Sequence, residues 1–346
     1  MSREGPIRTD IRSNARTREP VAKGDWGCLL SDALLITTRP RYAGFRVGEW
    51  SIGAVPLGCA RWVRGPLAAA AECRWALVEV GARRPGPEGV VMVERPRVVV
   101  SVGASVDGKV ALTRDSLLMR KPSSELWAAM TPRAADPVAV DILDVVRQQY
   151  GCNAILEGSG SLVAESDVPE ELPAYDGDTA ELYEHFLPTD ITELPSPPLM
   201  WFTVVDSRGR VRWTEDNENW AALVLVARST PAAYLAYLRR EHICYLVVGE
   251  ARVDLPQAIA AMASALGIRC VLSTAGGGLN GALLRAGLID ELYLTLAPAL
   301  IGGLGTPSVM DGPPLAEGEA ATSLQLLSVN TDTNGSVRLH YAVADR

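Results

Sequence analysis

From Arg95 onward, apolar residues recur at two different spacings, and the alternation of the two predicts a chain of strands and helices. Near-continuous apolar runs indicate buried strands, and apolar residues three or four positions apart indicate helices packed against them. Predicted strands cover 97–105, 153–160, 201–211, 221–229, 243–250, 269–277 and 290–303. Predicted helices cover 137–151, 230–242, 255–267 and 280–288, with a short helix around 179–187 in an acidic, Pro-rich surface linker at 165–200.

Turn residues support several of these boundaries. Gly151 follows the first predicted helix as a stop signal, and Thr230 with Pro231 is typical of an N-cap and first helical position. Asn334 and Gly335 separate the apolar runs 322–330 and 336–343, which predicts a hairpin. Strands joined through helices imply right-handed crossovers, so we expect a largely parallel sheet closed by antiparallel strands.

Residues 1–95 have a different texture. They contain four of the eight Trp and many Arg, Gly and Pro residues, without a sustained helical or strand period. A small accessory domain, a mobile extension and sequence upstream of the true start, with Met92 as an alternative start, all fit this pattern. We interpret 1–95 as a poorly ordered extension or small accessory segment and 96–346 as the folded domain.

Composition narrows the class of protein. The hydrophobic fraction of 48% suits a folded core, and no apolar run approaches the ~18–20 residues needed to cross a bilayer. The first 25 residues lack the apolar region of a secretory signal. Six cysteines without a CxxC pair argue against a structural zinc site and a disulfide framework. We therefore expect a cytoplasmic protein that binds neither membranes nor a metal.

Charge is unevenly distributed. Residues 1–95 hold 15 Lys+Arg and 10 Asp+Glu, or +5, and the remainder holds 18 and 31, or −13, which together give the net −8. Because phosphate contacts require a basic surface, a domain at −13 is poorly suited to bind nucleic acid.

The sequence STAGGGLNGALLRAGLIDELYLTLAPALIGG at 273–303 is the strongest local signal for chemistry. A predicted strand ends in three consecutive glycines, and a helix follows with Leu283, Leu284 and Leu288 on its buried side. Glycines allow a close backbone approach, and the free amides of a helix start complement a phosphate. A purely structural glycine turn remains the common alternative for such a pattern.

Four segments in this order resemble the reductase domain of riboflavin-biosynthesis deaminase–reductases. VSVGASVDGKVAL (100–112) resembles the family's LKLAxSLDGRIA, and NAILEGSGSLVAE (153–165) resembles DAILVGxGTVLAD. VVDSRGRV (204–211) resembles VLDxxxRV, and 273–303 resembles EGGPTLNGALLxAGLVDELxLxxAPxxLGG. The resemblance implies an α/β fold, a dihydrofolate-reductase-like mixed sheet flanked by helices with a C-terminal antiparallel hairpin. It also implies a homodimer and NADPH as cofactor.

The resemblance places the NADPH contacts at matching positions. These are Ala104, Ser161, Glu165, Ser207, Gly276, Gly277, Gly278, Leu279 and Asn280. Taken alone, Ser161 and Ser207 are more typical of turn serines that bond local backbone than of ligand contacts, and only their place in the matching pattern favours a cofactor role. Arg208 and Arg228, near predicted strand ends, could pair with a 2′-phosphate and select NADPH, although a solvated surface role is the default for either.

Departures from the family pattern fall at the substrate end. Thr274 stands where the pattern has the Glu of EGGPT, and Ser101 where it has a Lys; both are candidate substrate contacts. The acidic segment 166–178 has no counterpart of the family's DPxLTxR arginines. These differences favour a related reductase with a different, neutral or cationic ring substrate.

The zinc-dependent deaminase half of the bifunctional enzymes is absent from this sequence. That chemistry needs an HxE…PCxxC arrangement, and no PCxxC occurs. The three histidines, His185, His242 and His340, all follow residue 95 and are interpreted as surface or core residues.

The family chemistry is hydride transfer from the nicotinamide to a C=N or C=O carbon, so the protein supplies alignment and electrostatics. Asp107 is the candidate catalytic residue, with a turn-capping role as its alternative, and Lys109 is a second candidate for orienting substrate. No proton donor is evident. Three functions remain open: an NADPH-dependent reductase of a pyrimidine- or pteridine-like substrate, a catalytically inactive dinucleotide-binding regulator, and a riboflavin-pathway reductase that binds its phosphate through other residues.

Overall fold

The computed structural model describes residues 95–118, 120–130, 142–193, 200–213 and 220–344. Its strands are β1 (Arg97–Ser105), β2 (Ala154–Gly158), β3 (Met200–Val205), β4 (Trp220–Val226), β5 (Cys244–Val247), β6 (Cys270–Ser273), β7 (Glu291–Ala297), β8 (Leu324–Thr331) and β9 (Val337–Val343). Its helices are α1 (Ser123–Met130), α2 (Ile142–Tyr150), α3 (Thr189–Thr192), α4 (Ala232–Arg240), α5 (Leu255–Leu266) and α6 (Gly277–Arg285). Short 3-10 turns lie at Ser159–Ser161 and Glu181–Tyr183.

The strands of the described residues form one sheet in the order β5-β4-β3-β2-β6-β1-β7-β9-β8. Every pairing from β5 to β7 is parallel. β9 pairs antiparallel with β7, and β8 pairs antiparallel with β9. The predicted mixed α/β fold, with a parallel sheet closed by a C-terminal hairpin, is confirmed.

The central strands are buried on both faces, which explains their near-continuous apolar sequence. In β1, Val98 and Val100 pack against the face that carries Ile259 of α5 and Leu283 of α6. Val99 points to the opposite face, where it packs with Val146 of α2. Complete burial of each such side chain stabilises the fold by ~1.5–3 kcal/mol relative to exposure.

Local signals at helix ends were predicted with mixed success. Gly151 adopts φ 64° after α2, as its role as a stop signal requires. The prediction of Thr230 as an N-cap is wrong. Its hydroxyl accepts from the Ala227 amide at 3.0 Å and donates to the Ser207 carbonyl at 2.9 Å, so α4 begins without a side-chain cap.

Several boundaries differ from the predicted ones. α6 begins at Gly277 rather than at residue 280, and β3 ends at Val205, leaving 206–211 as a loop. The helix expected at 179–187 is only the 3-10 turn Glu181–Tyr183, and α1 was not predicted. The 1–94 part of the predicted extension and residues 137–141 of the first predicted helix lie outside the described residues. The domain boundary therefore stays a prediction.

Candidate active site

The carboxyl ends of β2, β6 and β1 lie side by side at the centre of the sheet. The chain that leaves β1 continues to α2 on one face, whereas the chain that leaves β6 enters α6 on the other. In open α/β sheets, a crevice between diverging connections at the carboxyl edge is the usual ligand site. The residues predicted to contact cofactor and substrate lie on the strands and loops of this edge, which we call the carboxyl edge.

The four glycines near the start of α6, Gly276 to Gly278 and Gly281, form two pairs with different surroundings. A Cβ on Gly276 or Gly278 would meet nothing within 4 Å. A Cβ on Gly277 would lie 2.0 Å from the Ser308 carbonyl oxygen, and one on Gly281 would lie 1.6 Å from that of Asp311. Gly277 and Gly281 are therefore required because segment 308–311 packs directly on α6. Gly276 and Gly278 face open space at the helix start.

The first turn of α6 has no side-chain cap, since the N-cap residue is Gly276. Its amides therefore remain available to an anion, which the positive end of the helix dipole also favours. Asn280 is completely buried and holds the loop. Its Nδ2 donates to the Ala275 carbonyl at 2.7 Å, and its Oδ1 accepts from the Ser273 hydroxyl at 2.9 Å. Leu279 lies against Gly158 of β2, which closes the loop onto the neighbouring strand.

Glu157, at the end of β2, was missed by the sequence analysis. Its side chain is buried, yet its carboxyl lies between two hydroxyls of predicted site residues. Thr274 donates to Oε1 at 2.5 Å, and Ser161 donates to Oε2 at 2.7 Å. Burial raises the pKa of Glu157, against the two hydroxyl hydrogen bonds, which lower it. The available signal was a single acidic residue within an otherwise apolar strand, AILEG.

The β3 side of the edge carries an exposed ion pair. Arg208 donates two hydrogen bonds, at 2.9 and 3.1 Å, to the carboxylate of Glu165, and Arg210 adds a third at 3.3 Å. The Arg208 hydrogen bond is the main cause of the lowered pKa of Glu165. Arg228 lies elsewhere, 3.5 Å from Glu250. The hydroxyl of Ser207 accepts from the Val253 amide at 3.0 Å, a structural contact of the kind expected for a turn serine.

β1 contributes backbone and small side chains. Ala104, a predicted cofactor contact, is completely buried, and the exposed main chain at this point of β1 is that of Gly103. Ser101 is half-buried beside Tyr293 of β7, and the exposed Gly103 lies under Trp127 of α1, whose ring is 4.0 Å from the position of a Cβ. Ser101 and Gly103 alternate along β1 with the core residues that face α5 and α6. They therefore lie on the opposite face of the sheet, where Trp127 of α1 is close to Gly103.

Asp107 follows β1 and fastens the turn to the loop after β7. Its carboxylate accepts from the Ser105 hydroxyl at 2.6 Å and from the amides of Ile301 and Gly302 at 3.1 and 2.7 Å. These hydrogen bonds, with that of Ser105 first, lower the pKa of Asp107 to about 2. A carboxylate that remains ionised at neutral pH is unsuited to donate a proton. The nearby Lys109 ammonium donates to the Thr306 carbonyl at 3.3 Å.

The three histidines do not converge. His185 Nδ1 accepts from the Val247 amide, His242 pairs with Asp190 at 2.9 Å, and His340 pairs with Glu291 at 2.9 Å. Within the ranges that the structure describes, no cluster of three or more His, Cys, Asp or Glu side chains is arranged to hold a metal ion. The same residues contain no helix of sufficient length and apolarity to span a membrane.

Residues 96–337 match the family model described as the RibD C-terminal domain. The chain belongs to the RibD C-terminal domain family. This result confirms the predicted family and its assignment to the oxidoreductases. Two relatives, from Archaeoglobus fulgidus and Methanothermobacter thermautotrophicus, are each named 2,5-diamino-6-ribosylamino-4(3H)-pyrimidinone 5′-phosphate reductase. The first is 31% identical over 220 residues, covering 63% of this chain and 87% of the relative. The second is 26% identical over 234 residues, covering 67% and 91%.

Among solved structures, this RibD C-terminal domain is similar to a pyrimidine reductase-like protein from Corynebacterium diphtheriae. The two share 17% sequence identity with a TM-score of 0.48, and the match covers 72% of this chain and 93% of the other.

Proposed function

We propose that this protein is an NADPH-dependent reductase that transfers hydride to a C=N or C=O carbon of a small pyrimidine- or pteridine-like substrate. The observation that carries the proposal is the convergence at the carboxyl edge. There the uncapped start of α6, with the open Gly276 and Gly278, adjoins the turn Ser159–Ser161 and the half-buried Ser101. A dinucleotide needs an amide cradle for its pyrophosphate and a polar crevice for its reacting ring.

The residues at the edge suit NADPH. Gly160, Gly276 and Gly278 each leave open space where a Cβ would stand, so backbone amides can approach a phosphate closely. Arg208 is exposed, and its guanidinium fork suits a 2′-phosphate. Such a phosphate would displace Glu165, which occupies the same fork here. Arg228 follows β4, which lies one strand further from β6 than β3 does, and it is therefore the less suitable of the two arginines.

Trp127 supports a planar substrate. An atom of its ring lies 4.0 Å from the position of a Cβ on Gly103, so an aromatic side chain borders the exposed main chain of β1. The two named relatives act on a pyrimidinone that carries a 5′-phosphate. Here the arginines beside the acidic segment 166–178 already have partners, since Arg120 pairs with Asp167 and Arg212 donates to the Glu170 carbonyl. This arrangement favours a substrate with less negative charge than a sugar phosphate.

When bound, the reduced nicotinamide supplies the hydride. The chain's own residues would then bind and orient the reactants: α6 would hold the pyrophosphate, and β1 would present its exposed main chain at Gly103 to the nicotinamide end. Ser101 and Thr274 face the substrate with hydroxyls. Alignment of two bound reactants accounts for a large part of the rate enhancement in such transfers.

The test is a fluorescence titration of the chain with NADPH and with NADH, beside Gly278→Asp. An Asp at this position suits the helix start, so the variant is expected to fold, but its charge opposes the pyrophosphate. We expect NADPH to bind more tightly than NADH and the variant to lose at least about tenfold in affinity. Ala260→Asp adds the same charge to the exposed side of α5 and is expected to bind normally. Absence of binding to either nucleotide would remove the reductase proposal.

A catalytically inactive, dinucleotide-binding regulator is the second candidate. It is favoured by the replacement of the family pattern's Glu and Lys by Thr274 and Ser101. Tight NADPH binding without turnover of the pyrimidinone phosphate or any related ring compound would support it.

We also propose that the protein is a homodimer formed through β8. All eight residues of this edge strand are exposed, including Leu324, Leu326, Leu327 and Val329. An apolar edge strand with unpaired backbone groups is a surface that proteins otherwise cover or avoid. The cytoplasmic location expected from the sequence remains a prediction.

A further inference from the structure

The carboxyl of Glu157 has an unusual environment for a buried acid. The side chain is 8% exposed and forms no ion pair with any residue that the structure describes. Its side-chain partners are the hydroxyls of Thr274 and Ser161. Burial, these hydroxyls and the Gly158 amide set its pKa, and no charged side chain contributes. A carboxyl in such surroundings favours its protonated form at higher pH than an exposed one.

The partners connect this buried acid to the open edge. Thr274 is exposed and Ser161 is half-buried, so each hydroxyl lies between the carboxyl and the crevice. Both hydroxyls donate to the carboxyl here, but a hydroxyl can also accept. When Glu157 is protonated, one of these hydrogen bonds reverses, and that hydroxyl can pass the proton on. Thr274 is also the first residue after β6, directly before the glycine loop.

The register of β2 and β6 relates Glu157 to the family pattern at Thr274. Leu156 pairs with Ser273, so the next residues, Glu157 and Thr274, are neighbours across the two parallel strands. The family pattern quoted above carries Glu at the position of Thr274 and an apolar Val at that of Glu157. This chain has Glu157 and the polar Thr274 instead. Its acid therefore lies on the adjacent strand, at the same point of the carboxyl edge.

Folding stability alone does not explain an acidic residue at position 157. A buried carboxyl without a cation is costly relative to an apolar residue, and its neighbour Ile155 shows that β2 accepts apolar side chains here. A polar group retained at such a cost, in a crevice, is a candidate for chemistry.

We propose that Glu157 is the proton donor of the reduction and acts directly or through the Thr274 hydroxyl; this inference rests on the proposed reductase function. Hydride from the reduced nicotinamide forms the new C–H bond while the C=N or C=O π bond breaks. The electron pair of that bond takes the carboxyl proton and forms N–H or O–H. The cofactor leaves oxidised, and the Glu157 carboxylate regains its proton from water. Burial without a counter-charge favours the neutral acid before the transfer, against the hydroxyl hydrogen bonds.

The first test is infrared spectroscopy of the intact chain, which does not depend on turnover. The difference between the wild type and Glu157→Gln near neutral pH should contain a protonated-carboxyl C=O band that shifts when NADPH is added. A spectrum in which Glu157 contributes only carboxylate bands at pH 6–7 would overturn the inference. Glu291→Gln, which removes a buried carboxylate at the opposite edge of the sheet, is the matched control and should not remove that band.

The second test uses NADPH and 2,5-diamino-6-ribosylamino-4(3H)-pyrimidinone, with and without its 5′-phosphate, as probes. Glu157→Gln should lower kcat by about 10²-fold or more, abolish its decline at high pH and leave the Kd for NADPH within about twofold. Glu157→Val should be as slow, and Glu157→Val with Thr274→Glu should recover at least about tenfold of the loss, because the acid returns to the edge from β6.

The outcomes separate this inference from the proposed function. A wild-type chain that binds neither nucleotide, or that reduces neither form of the probe, overturns the donor role together with the proposal of a reductase of this pyrimidinone. A chain that reduces the probe while Glu157→Gln keeps both kcat and its pH profile overturns the donor role alone. Reduced thermal stability of Glu157→Gln with unchanged kcat would likewise assign the residue a purely structural role.

Discussion

Arg208 donates hydrogen bonds of 2.9 and 3.1 Å to the two carboxylate oxygens of Glu165, and both side chains are more than half exposed. Because solvent screens the pair, it contributes little to folding stability. If the proposed NADPH site is correct, Glu165 occupies the position on Arg208 that the 2′-phosphate would take. Arg208 would then attract the phosphate, and Glu165 would compete with it.

Substitution of Glu165 and substitution of Arg208 should change the preference for NADPH over NADH in opposite directions. Glu165→Gln removes the competing charge, so we expect NADPH affinity to rise by about three- to tenfold with NADH affinity unchanged. Arg208→Gln should reduce NADPH affinity by at least as much and leave NADH affinity unchanged. Parallel titrations with the two nucleotides check both results. Equal changes for NADPH and NADH would show that Arg208 does not contact the 2′-phosphate.

The two kinds of glycine at α6 should respond oppositely to alanine. Gly277→Ala places a Cβ 2.0 Å from the Ser308 carbonyl oxygen, and the resulting overpacking should destabilise the fold by ~1–3 kcal/mol. Gly278→Ala meets no atom and should stabilise the helix by ~0.5–1 kcal/mol. Urea unfolding measures both. A destabilised Gly278→Ala would contradict the open space at this position.

Glu291 makes folding stability depend on acid pH. Burial raises its pKa, but hydrogen bonds from His340 and Tyr150 and the charge of Arg97 outweigh that effect, so the pKa is lowered. A lowered pKa in the folded state means that stability is present above the ordinary Glu value of about 4.3 and is lost as pH falls below it. Glu291→Gln should cost ~1–3 kcal/mol at neutral pH. The difference between variant and wild type should shrink steadily below about pH 4.

Asp107 is expected to fasten a loop rather than to transfer protons. Asp107→Ala removes the acceptor for the Ile301 and Gly302 amides, so hydrogen exchange at these two amides should accelerate by tenfold or more. Asp107→Asn keeps one acceptor oxygen and should preserve most of the protection. A kcat profile that loses an acidic limb in Asp107→Asn, with exchange unchanged, would instead support the predicted catalytic role.

The dimer proposed at β8 has a direct test. Leu326→Lys places a charge on the exposed apolar strand, and an edge lysine discourages strand pairing. Sedimentation should give a dimer for the wild type and a monomer for the variant. Glu319→Lys, in the exposed loop before β8, serves as a surface control and should remain dimeric. A monomeric wild type would remove the proposal.

Much of the fold followed from the sequence because the signals are local. The valines of β1 indicate a buried strand, Gly151 ends α2 with a left-handed φ, and Asn334 with Gly335 marks the terminal hairpin. Each depends on side-chain period or backbone freedom within a few residues. Thr230 failed as an N-cap for the opposite reason, since its hydroxyl is drawn to Ala227 and Ser207 on neighbouring loops.

Local sequence patterns were sufficient to predict the order of the strands, the family and the glycine loop at the carboxyl edge. They could not separate Gly277 from Gly278, because the difference is a carbonyl of segment 308–311. They also could not identify Glu157 as a site residue, because its hydrogen-bond partner Thr274 lies 117 residues away in the sequence. These contacts join strands that pair only after the intervening chain has folded into crossovers, and no local period or propensity encodes which side chains then meet. Which side chains meet at this edge therefore depends on tertiary structure. That structure buries the Glu157 carboxyl beside two hydroxyls and without a counter-charge.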